Sequence, residues 1–499
     1  MTRRIGILGA TIALLFAILI GQASFVQFFH ADSLNTSPVN DRIARAGSMY
    51  ARGDIVAGDG TIIARSVPTT SGAYPWRRDY PLGALTSGVV GFSSPIYGTW
   101  GLEYYYNNDL LSHPQPPQSL SQILVPERAP NTLVVTLQPQ LQAVAQKALG
   151  NRNGAVVAID PKTGGILAMY SSPNYDPAPL TSSDEATASA AWTAYNKKNY
   201  RGFPPLGLLA TQQTFAPGST FKVITTAAAI MSRPDLAMKK YPVKAFTTLP
   251  TSDKLLWNSG HTPCGGKAAD MLPGSCDPGF ALLGLDLGAE IMSSTAYNFG
   301  FDQVPPIDLP GVVNSYFPDA SAFSNDLPGL AYSAIGQKDV RATALTNALV
   351  AAGIANGGQI MAPHLMNVLT KPDGTIMKRY KAHTWLTPLD ASGAQRISGM
   401  MLNVTRFGTA AGIFRSSDLV AAKTGTAQTG NSANNTHDWM IAFAPANNPV
   451  VAVAVVVPFQ HVDATGAAVA GPIMRCVIQG AIALSKGQPA SGTSSTCPR

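Results

Sequence analysis

The chain has 499 residues, of which 45% are hydrophobic and only 13% charged, and its formal net charge is +7. This length leaves room for two or three domains, and the hydrophobic content is sufficient for a large buried core. The basic residues occur singly or in pairs such as Lys197-Lys198 and Lys239-Lys240. A nucleic-acid surface requires basic residues clustered on one face, so we exclude nucleic acid as a partner.

An uncharged segment at residues 5–29 predicts a transmembrane anchor. A helix of about 20 apolar residues is long enough to cross the hydrocarbon core of a bilayer. Arg3 and Arg4 precede the segment. The positive-inside rule therefore predicts a cytoplasmic tail at residues 1–4 and a single-pass plasma-membrane protein whose bulk, after residue 30, is extracytoplasmic. A cleaved signal peptide is the alternative, and it leaves the bulk of the chain in the same compartment.

We expect a non-catalytic, β-rich N-terminal domain at residues 30–150, starting with a polar linker at residues 30–47. Residues 51–66 place the dipeptide Asp59-Gly60 between two β-prone runs, which is a strong hairpin signal. Residues 131–150 have the pattern of a strand followed by an amphipathic helix.

A second domain is expected at residues 151–486, followed by a loose tail at residues 487–499. Apolar strands are predicted near both ends of this domain, and an Ala-rich helix lies between them. The predicted strand pair, helix and later strands are at 154–171 (with a turn at 160–165), 341–358, 438–445 and 449–458. One central sheet built from both ends, with helices on its faces, is the simplest packing that buries such strands. The fold class is therefore α/β (α+β).

The segment FAPGSTFKVITTAAAIM at residues 215–231 predicts a turn that leads into a helix. Ser219 falls at the start of this helix, and Lys222 lies three residues later on the same face. Free backbone N–H groups at a helix start favour negative charge, and a neighbouring lysine of lowered pKa can activate a serine nucleophile. The alternative is an N-cap serine followed by a solvated lysine.

The second candidate is KTGTAQTG, which begins at Lys423 and follows an apolar run. A strand here would place Lys423, Thr424 and Thr426 along a cleft, and Gly425 would allow a substrate backbone to approach closely. The triplet Lys162-Thr163-Gly164 is a second copy, which fits a tight turn between strands without any function.

The third candidate, Ser275-Cys276-Asp277, lies between Ser219 and Lys423 along the chain. Ser-x-x-Lys, then Ser-x-Asn, then Lys-Thr-Gly is the order found in serine acyltransferases that penicillin inhibits. Here the chain resembles the class B penicillin-binding proteins, which are peptidoglycan D,D-transpeptidases, and most closely their actinobacterial PbpA type. Further segments match that family in order: 51–66, 101–110, 157–177, 333–358 and 437–445.

The resemblance implies a transpeptidase domain like that of penicillin-binding proteins and serine β-lactamases, with a central antiparallel sheet flanked by helices, after a β-rich pedestal and one transmembrane helix. By the same resemblance, Ser219 attacks the D-Ala-D-Ala carbonyl of a stem peptide and Lys222 takes its proton. Ser275 relays a proton to the departing D-Ala, with Lys423 as its electrostatic partner. An acceptor amine then resolves the acyl-enzyme.

The resemblance also implies that the hydroxyls of Thr424 and Thr426 hold the substrate carboxylate, with Gly425 between them. The backbone N–H groups of Ser219 and Thr426 would form the oxyanion hole. The implied partners are peptidoglycan stem peptides, β-lactam antibiotics and a polytopic glycan polymerase of the RodA/FtsW type. No cofactor and no metal are expected.

One residue departs from the family pattern, because Asp277 stands where Asn is usual. An ionised carboxylate between two lysines favours their charged forms, which works against Lys222 as a base. Asp277 would have to pair mainly with one lysine or be protonated, or the enzyme would be slow. Our hypothesis is that activity survives. A D,D-carboxypeptidase, a β-lactamase and a catalytically weak scaffold that activates a polymerase are the alternatives.

The four cysteines are Cys264, Cys276, Cys476 and Cys497. They show no CxxC spacing and have no histidine at ligand spacing, which argues against zinc. Of the three possible pairings we favour the sequence-near one, Cys264–Cys276 with Cys476–Cys497. Buried free thiols are the alternative.

Overall fold

The structure, a computed structural model, describes residues 2–29, 48–70, 73–117, 119–124, 127–429 and 435–490. The predicted linker at 30–47, Cys497 and most of the predicted tail lie outside these ranges. The helices within them are α1 (Thr2–Phe29), α2 (Ser87–Val90), α3 (Leu102–Tyr105), α4 (Asn107–Leu110), α5 (Leu120–Leu124), α6 (Pro139–Leu149), α7 (Glu185–Asn196), α8 (Leu209–Gln212), α9 (Lys222–Ser232), α10 (Pro234–Met238), α11 (Ala268–Gly274), α12 (Asp277–Leu287), α13 (Ala289–Asn298), α14 (Leu327–Ser333), α15 (Ala344–Ala355), α16 (Ala391–Arg406) and α17 (Gly466–Ser485).

Two of the described helices are long and apolar enough to cross a membrane. The apolar part of α1, Gly6–Val26, has none of its surface buried, which agrees with the predicted anchor. Half of α17 is buried, and this helix packs against β20 and β21 of the central sheet defined below. We therefore interpret α17 as a core helix and α1 as the candidate membrane span.

The N-terminal region is built from short strands, as its turn-rich composition predicts. They are β1 (Ile55–Ala57), β2 (Ile62–Pro68), β3 (Trp76–Asp79), β4 (Phe92–Ser94), β5 (Gly98–Trp100), β6 (His113–Pro114), β7 (Arg128–Ala129) and β8 (Thr132–Val135). β1 and β2 pair antiparallel on either side of Asp59-Gly60, so the predicted hairpin is confirmed. β1 also pairs in parallel with β8, which begins the strand–helix unit expected at 131–150.

The later strands form the central sheet and several small ones. They are β9 (Gly154–Ile159), β10 (Ile166–Ser172), β11 (Tyr241–Lys244), β12 (Phe246–Thr248), β13 (Leu255–Trp257), β14 (Cys264–Gly266), β15 (Ile360–Met361), β16 (Met366–Thr370), β17 (Ile376–Arg379), β18 (Thr384–Leu386), β19 (Ala421–Gln428), β20 (Thr436–Ala444) and β21 (Val451–Gln460). The central sheet has the order β10-β9-β21-β20-β19 and is antiparallel throughout. The prediction of one sheet from both ends of the domain is confirmed.

Helices cover both faces of this sheet, which explains why nearly every residue of its middle strands is buried. Successive side chains of a strand point to opposite faces. Val157 of β9 therefore enters the core that also contains α15, whereas Val156 enters the core shared with α6 and α17. β19 is one of the two edge strands, so one side of its backbone has no partner strand in this sheet.

Elements from the two sides of residue 150 are interleaved. β16 pairs with β8, and β16 and β17 complete a six-stranded N-terminal sheet of order β17-β16-β8-β1-β2-β3. Conversely, α6 packs on β10 and α17 of the catalytic half. The domain boundary at residue 150 stays a prediction. Elements from each side of it pack into the structure formed by the other side.

Candidate active site

The candidate nucleophile lies where a tight turn leads into α9. Gly218–Thr220 form a 3₁₀ turn immediately before Lys222, the first residue of α9. Gly218 has a φ of +53°, and a Cβ there would lie 2.8 Å from the Thr426 backbone oxygen. Glycine therefore permits both the turn and the close contact with β19. Ser219 is partly exposed in this turn.

The second motif connects α11 to α12. Ser275 adopts the left-handed conformation, with a φ of +57°, and Asp277 begins α12. Cys276 between them is disulfide-bonded to Cys264 of β14, and the Asn258 side-chain oxygen accepts a hydrogen bond from the Asp277 backbone N–H at 3.1 Å. The motif is thus held by a covalent link and a polar contact. The predicted Cys264–Cys276 pairing is confirmed.

The second predicted disulfide stays a prediction. Cys476 is disulfide-bonded, but Cys497 lies outside the described residues.

The three motifs meet at the hydroxyl of Ser275. Lys222 Nζ donates to the Ser275 backbone oxygen at 2.6 Å, to Ser275 Oγ at 3.3 Å and to Asp277 Oδ1 at 2.7 Å. Lys423 Nζ donates to Ser275 Oγ at 2.8 Å and to the Thr424 backbone oxygen at 2.9 Å. Ser275 Oγ therefore accepts from both lysines, which leaves its own proton available for donation.

Both lysines are fully buried, and burial lowers their pKa values. Desolvation lowers the pKa of Lys222, and the attraction of Asp277 only partly offsets this effect. Desolvation and the nearby charge of Lys222 together hold the pKa of Lys423 well below its usual value. A lysine with a lowered pKa reaches its neutral, basic form more easily.

The structure shows which of the two lysines Asp277 contacts. This carboxylate forms an ion pair with Lys222, and the side chain of Asp277 is 20% exposed. Within the described residues it forms no ion pair with Lys423. Asp277 thus pairs with one lysine, which is the first of the possibilities that the sequence left open.

The Lys-Thr-Gly motif lies on β19, at one edge of the central sheet. The hydroxyls of Thr424 and Thr409 lie 2.6 Å apart, and the Gly466 backbone N–H donates to Thr426 Oγ1 at 2.9 Å. Because Thr426 accepts this bond, its hydroxyl can still act as a hydrogen-bond donor. At Gly425 a Cβ would lie 2.7 Å from the Pro217 backbone oxygen, so a side chain would not fit.

The second copy of the triplet lies outside the candidate active site. Lys162-Thr163-Gly164 forms the turn between β9 and β10, with Gly164 at a φ of +82°, and Lys162 Nζ donates to Asn448 Oδ1.

Within the described residues, the Ser219 hydroxyl has no hydrogen bond, and Lys222 is directed at the second motif. Catalytic hydrogen bonds often tighten only when substrate binds, so the role of Lys222 as base stays a prediction.

Asn258, Thr409 and Gly466 support the site but were not predicted. No motif marks them, because each is brought to the site by chain folding from a loop or a helix end.

The fold and the site together define an active-serine acyltransferase, with a serine at a helix start, two buried lysines and a bridging serine. A family model described as "Penicillin binding protein transpeptidase domain" matches residues 154–479, and one described as "Penicillin binding protein A dimerisation domain" matches residues 52–125. The chain belongs to the penicillin-binding protein transpeptidase family, as its motifs indicated.

Known relatives extend over nearly the whole chain. The peptidoglycan D,D-transpeptidase PbpA of Mycolicibacterium smegmatis is 36% identical over 498 residues, 94% of this chain and 97% of that protein. The ceftriaxone acyl-enzyme complex of penicillin-binding protein A from Mycobacterium tuberculosis is 33% identical, covers 88% of this chain and 100% of its own, and has a TM-score of 0.79. The penicillin G acyl-enzyme complex of the same protein covers 87% and 99%, at 33% identity and a TM-score of 0.76.

Proposed function

We propose that the chain is a membrane-anchored peptidoglycan D,D-transpeptidase that acts in cell wall synthesis through an acyl-enzyme on Ser219. The observation that carries this proposal is the convergence of two buried lysines on Ser275 Oγ, beside the 3₁₀ turn that bears Ser219. Such a site can take a proton from one oxygen and deliver a proton to a leaving nitrogen.

In the first half-reaction, Ser219 Oγ attacks the carbonyl between the two terminal D-Ala residues. Neutral Lys222 accepts the hydroxyl proton, and Ser275 donates its own proton to the departing D-Ala amine. Ser275 is reprotonated through the lysines that contact it. The backbone N–H groups of Ser219 and Thr426 stabilise the oxyanion, a contribution of roughly 3–4 kcal/mol for each donor.

In the second half-reaction, an amine on a neighbouring stem peptide attacks the ester and releases Ser219. The terminal carboxylate of the donor peptide binds at the hydroxyls of Thr424 and Thr426, next to Lys423. A β-lactam carries a carboxylate and a strained amide in a similar arrangement, so we also propose that β-lactams acylate Ser219.

The anchor and its partner are part of the same proposal. α1 would span the plasma membrane, with Arg3 and Arg4 on the cytoplasmic side and the catalytic domain outside. A polytopic glycan polymerase of the RodA/FtsW type would supply the strands to be cross-linked.

The test uses the full chain in detergent, incubated with a synthetic stem pentapeptide and an acceptor amine, with mass spectrometry of the products. A transpeptidase releases D-Ala and forms the cross-linked amide, and Ser219→Ala forms neither product. Release of D-Ala with only hydrolysed tetrapeptide would identify a carboxypeptidase instead. A folded protein that forms no product would favour the scaffold alternative.

A further inference from the structure

A small hairpin beside the active site presents an apolar face to solvent. β12 and β13 pair antiparallel, with Phe246 opposite Trp257 and Thr248 opposite Leu255. Alternate residues of a strand point to opposite faces, so Phe246, Leu255 and Trp257 share one face and Leu256 points the other way. The three are 37%, 40% and 42% exposed, whereas Leu256 is 4% exposed.

Three rings form a continuous row on this face. The centroids of Phe246 and Trp257 lie 4.7 Å apart, and those of Trp257 and His261 lie 4.5 Å apart with an angle of 31° between the ring planes. Exposed apolar patches of this kind mark binding surfaces. We call Phe246, Trp257 and His261 the aromatic row.

The aromatic row adjoins the catalytic centre. Trp257 is followed by Asn258, whose side chain contacts the Asp277 backbone, and the strand after the row is tied to the second motif by the disulfide Cys264–Cys276. Four residues separate the muramic acid of a stem peptide from the attacked carbonyl. At no more than about 3.6 Å for each residue, with several ångströms more for the lactyl group and the side-chain linkage of the glutamate, the glycan must pass within roughly 20 Å of Ser219.

The surroundings of the row are basic. Residues 239–267 contain five lysines and one aspartate. Lys244 and Lys254 flank the row and are exposed, and in the described parts of the chain neither forms an ion pair. Positive charge here complements the carboxylates of stem peptides, and it is long-ranged enough to attract them.

We propose that the aromatic row binds the glycan strand of peptidoglycan, an inference that rests on the proposed function. The C–H faces of the hexosamine rings and the N-acetyl methyl groups would pack on Trp257 and Phe246. The stem-peptide carboxylates would lie toward Lys244 and Lys254. The row would thus position the strand whose peptide enters the active site. An exposed, lysine-flanked aromatic row at the rim of the site fits a polyanionic, sugar-based strand better than an apolar protein partner.

The experiment measures the affinity of the full chain in detergent for peptide-bearing glycan chains released from peptidoglycan and for chains stripped of peptide. Ser219→Ala is the background, so that no turnover occurs. Trp257→Ala should weaken binding of both probes at least about tenfold, as expected for the loss of an aromatic anchor. Trp257→Phe should retain most of the affinity. Tyr297→Ala, an aromatic of similar exposure on α13, is the matched control and should leave both affinities unchanged.

Labelling of the Ser219-containing proteins by fluorescent penicillin, which has no glycan, separates this inference from the proposed function. Normal labelling of Trp257→Ala also reports that the variant is folded. Two results with normal labelling would overturn the aromatic row while the transpeptidase proposal stands. One is equal glycan binding by the Ser219→Ala proteins with and without Trp257. The other is no glycan binding by the Ser219→Ala protein that retains Trp257. If Trp257→Ala lost a co-purifying protein but retained glycan binding, the glycan-binding proposal would also be overturned, and the row would be a protein interface.

Discussion

Among the described residues, one buried cluster of charged side chains lies in the N-terminal region and another lies in the catalytic region, and they differ in how completely the charges are paired. In the N-terminal region, Glu103 accepts hydrogen bonds from Arg52 Nε at 2.9 Å and Arg78 Nε at 2.6 Å, and from Tyr80 Oη at 3.2 Å. In the catalytic region, the two lysines are fully buried, and the one carboxylate that forms an ion pair with either of them in the described parts of the chain is Asp277, which is partly exposed and contacts Lys222.

The carboxylate of the first cluster and the lysines of the second respond oppositely to burial. Burial alone would raise the pKa of Glu103, but Arg78 and Arg52 together lower it, so the charged form is stabilised. In the catalytic cluster burial prevails and lowers the pKa of both lysines. Where ion pairing outweighs burial, the charged form is stable and the ion pairs hold elements together. Where burial outweighs ion pairing, a lysine loses its proton more easily and can act as a base. We therefore interpret the first cluster as structural and the second as chemical.

The largest expected effect is on the rate, from Lys222→Met. The base is lost, and acylation by penicillin should slow by about 10³-fold. Methionine fits the apolar part of the site and leaves Asp277 partly solvated, so the fold should be retained. Lys162→Met, in the exposed second copy of the triplet, is the control and should react at the wild-type rate. A Lys222→Met rate within tenfold of wild type would show that another group is the base.

The next effect is on stability, from Glu103→Gln. Two buried guanidinium groups would lose their compensating charge, which should destabilise the fold by roughly 3–5 kcal/mol. Asp79→Asn is the matched control, because its ion pair with Arg65 is exposed and should contribute less than about 1 kcal/mol. Thermal unfolding measures both. Equal losses in the two variants would remove the distinction between the clusters.

A smaller and more specific effect is expected from Asp277→Asn. Asp277 raises the pKa of Lys222 against the effect of burial, so its removal lowers that pKa further. Acylation requires neutral Lys222, and its rate therefore rises with pH through this pKa. The acid limb of the pH–rate profile should move to lower pH in the variant. A rate gain of about a hundredfold or more at neutral pH would mean that the wild-type site is impaired, and an unmoved limb would exclude Lys222 as the titrating base.

The smallest effect is expected from Tyr80→Phe. The Tyr80 hydroxyl donates to Glu103 and accepts from the Ser93 backbone N–H at 2.7 Å. Its removal leaves that N–H without this partner, at a cost of about 1–2 kcal/mol, and should not change the acylation rate. A loss as large as that of Glu103→Gln would indicate that the hydroxyl, and not the charge pairing, holds the N-terminal cluster.

The sequence predicted the elements whose signals are local. The Asp59-Gly60 hairpin, the apolar strands of the central sheet and the helix that starts after Ser219 all depend on neighbouring residues. The order of the three motifs indicated the site because every motif residue except Asp277 matches the family pattern.

Features that depend on distant pairing were not predictable in this way. Nothing in the sequence shows that β16 extends the N-terminal sheet next to β8, or that Glu103 is buried between two arginines. Asn258 reaches Asp277 only because the β12–β13 hairpin folds back onto α12. Such contacts arise from tertiary packing, for which a single sequence carries no periodic signal.

The most direct test of the account is to label the full chain with fluorescent penicillin and to locate the label by proteolysis and mass spectrometry. We predict a stable covalent adduct on Ser219 that is absent from Ser219→Ala. An adduct on a different residue, or a folded wild-type protein that takes up no label, would contradict the assignment of Ser219 as the nucleophile supported by the two lysines.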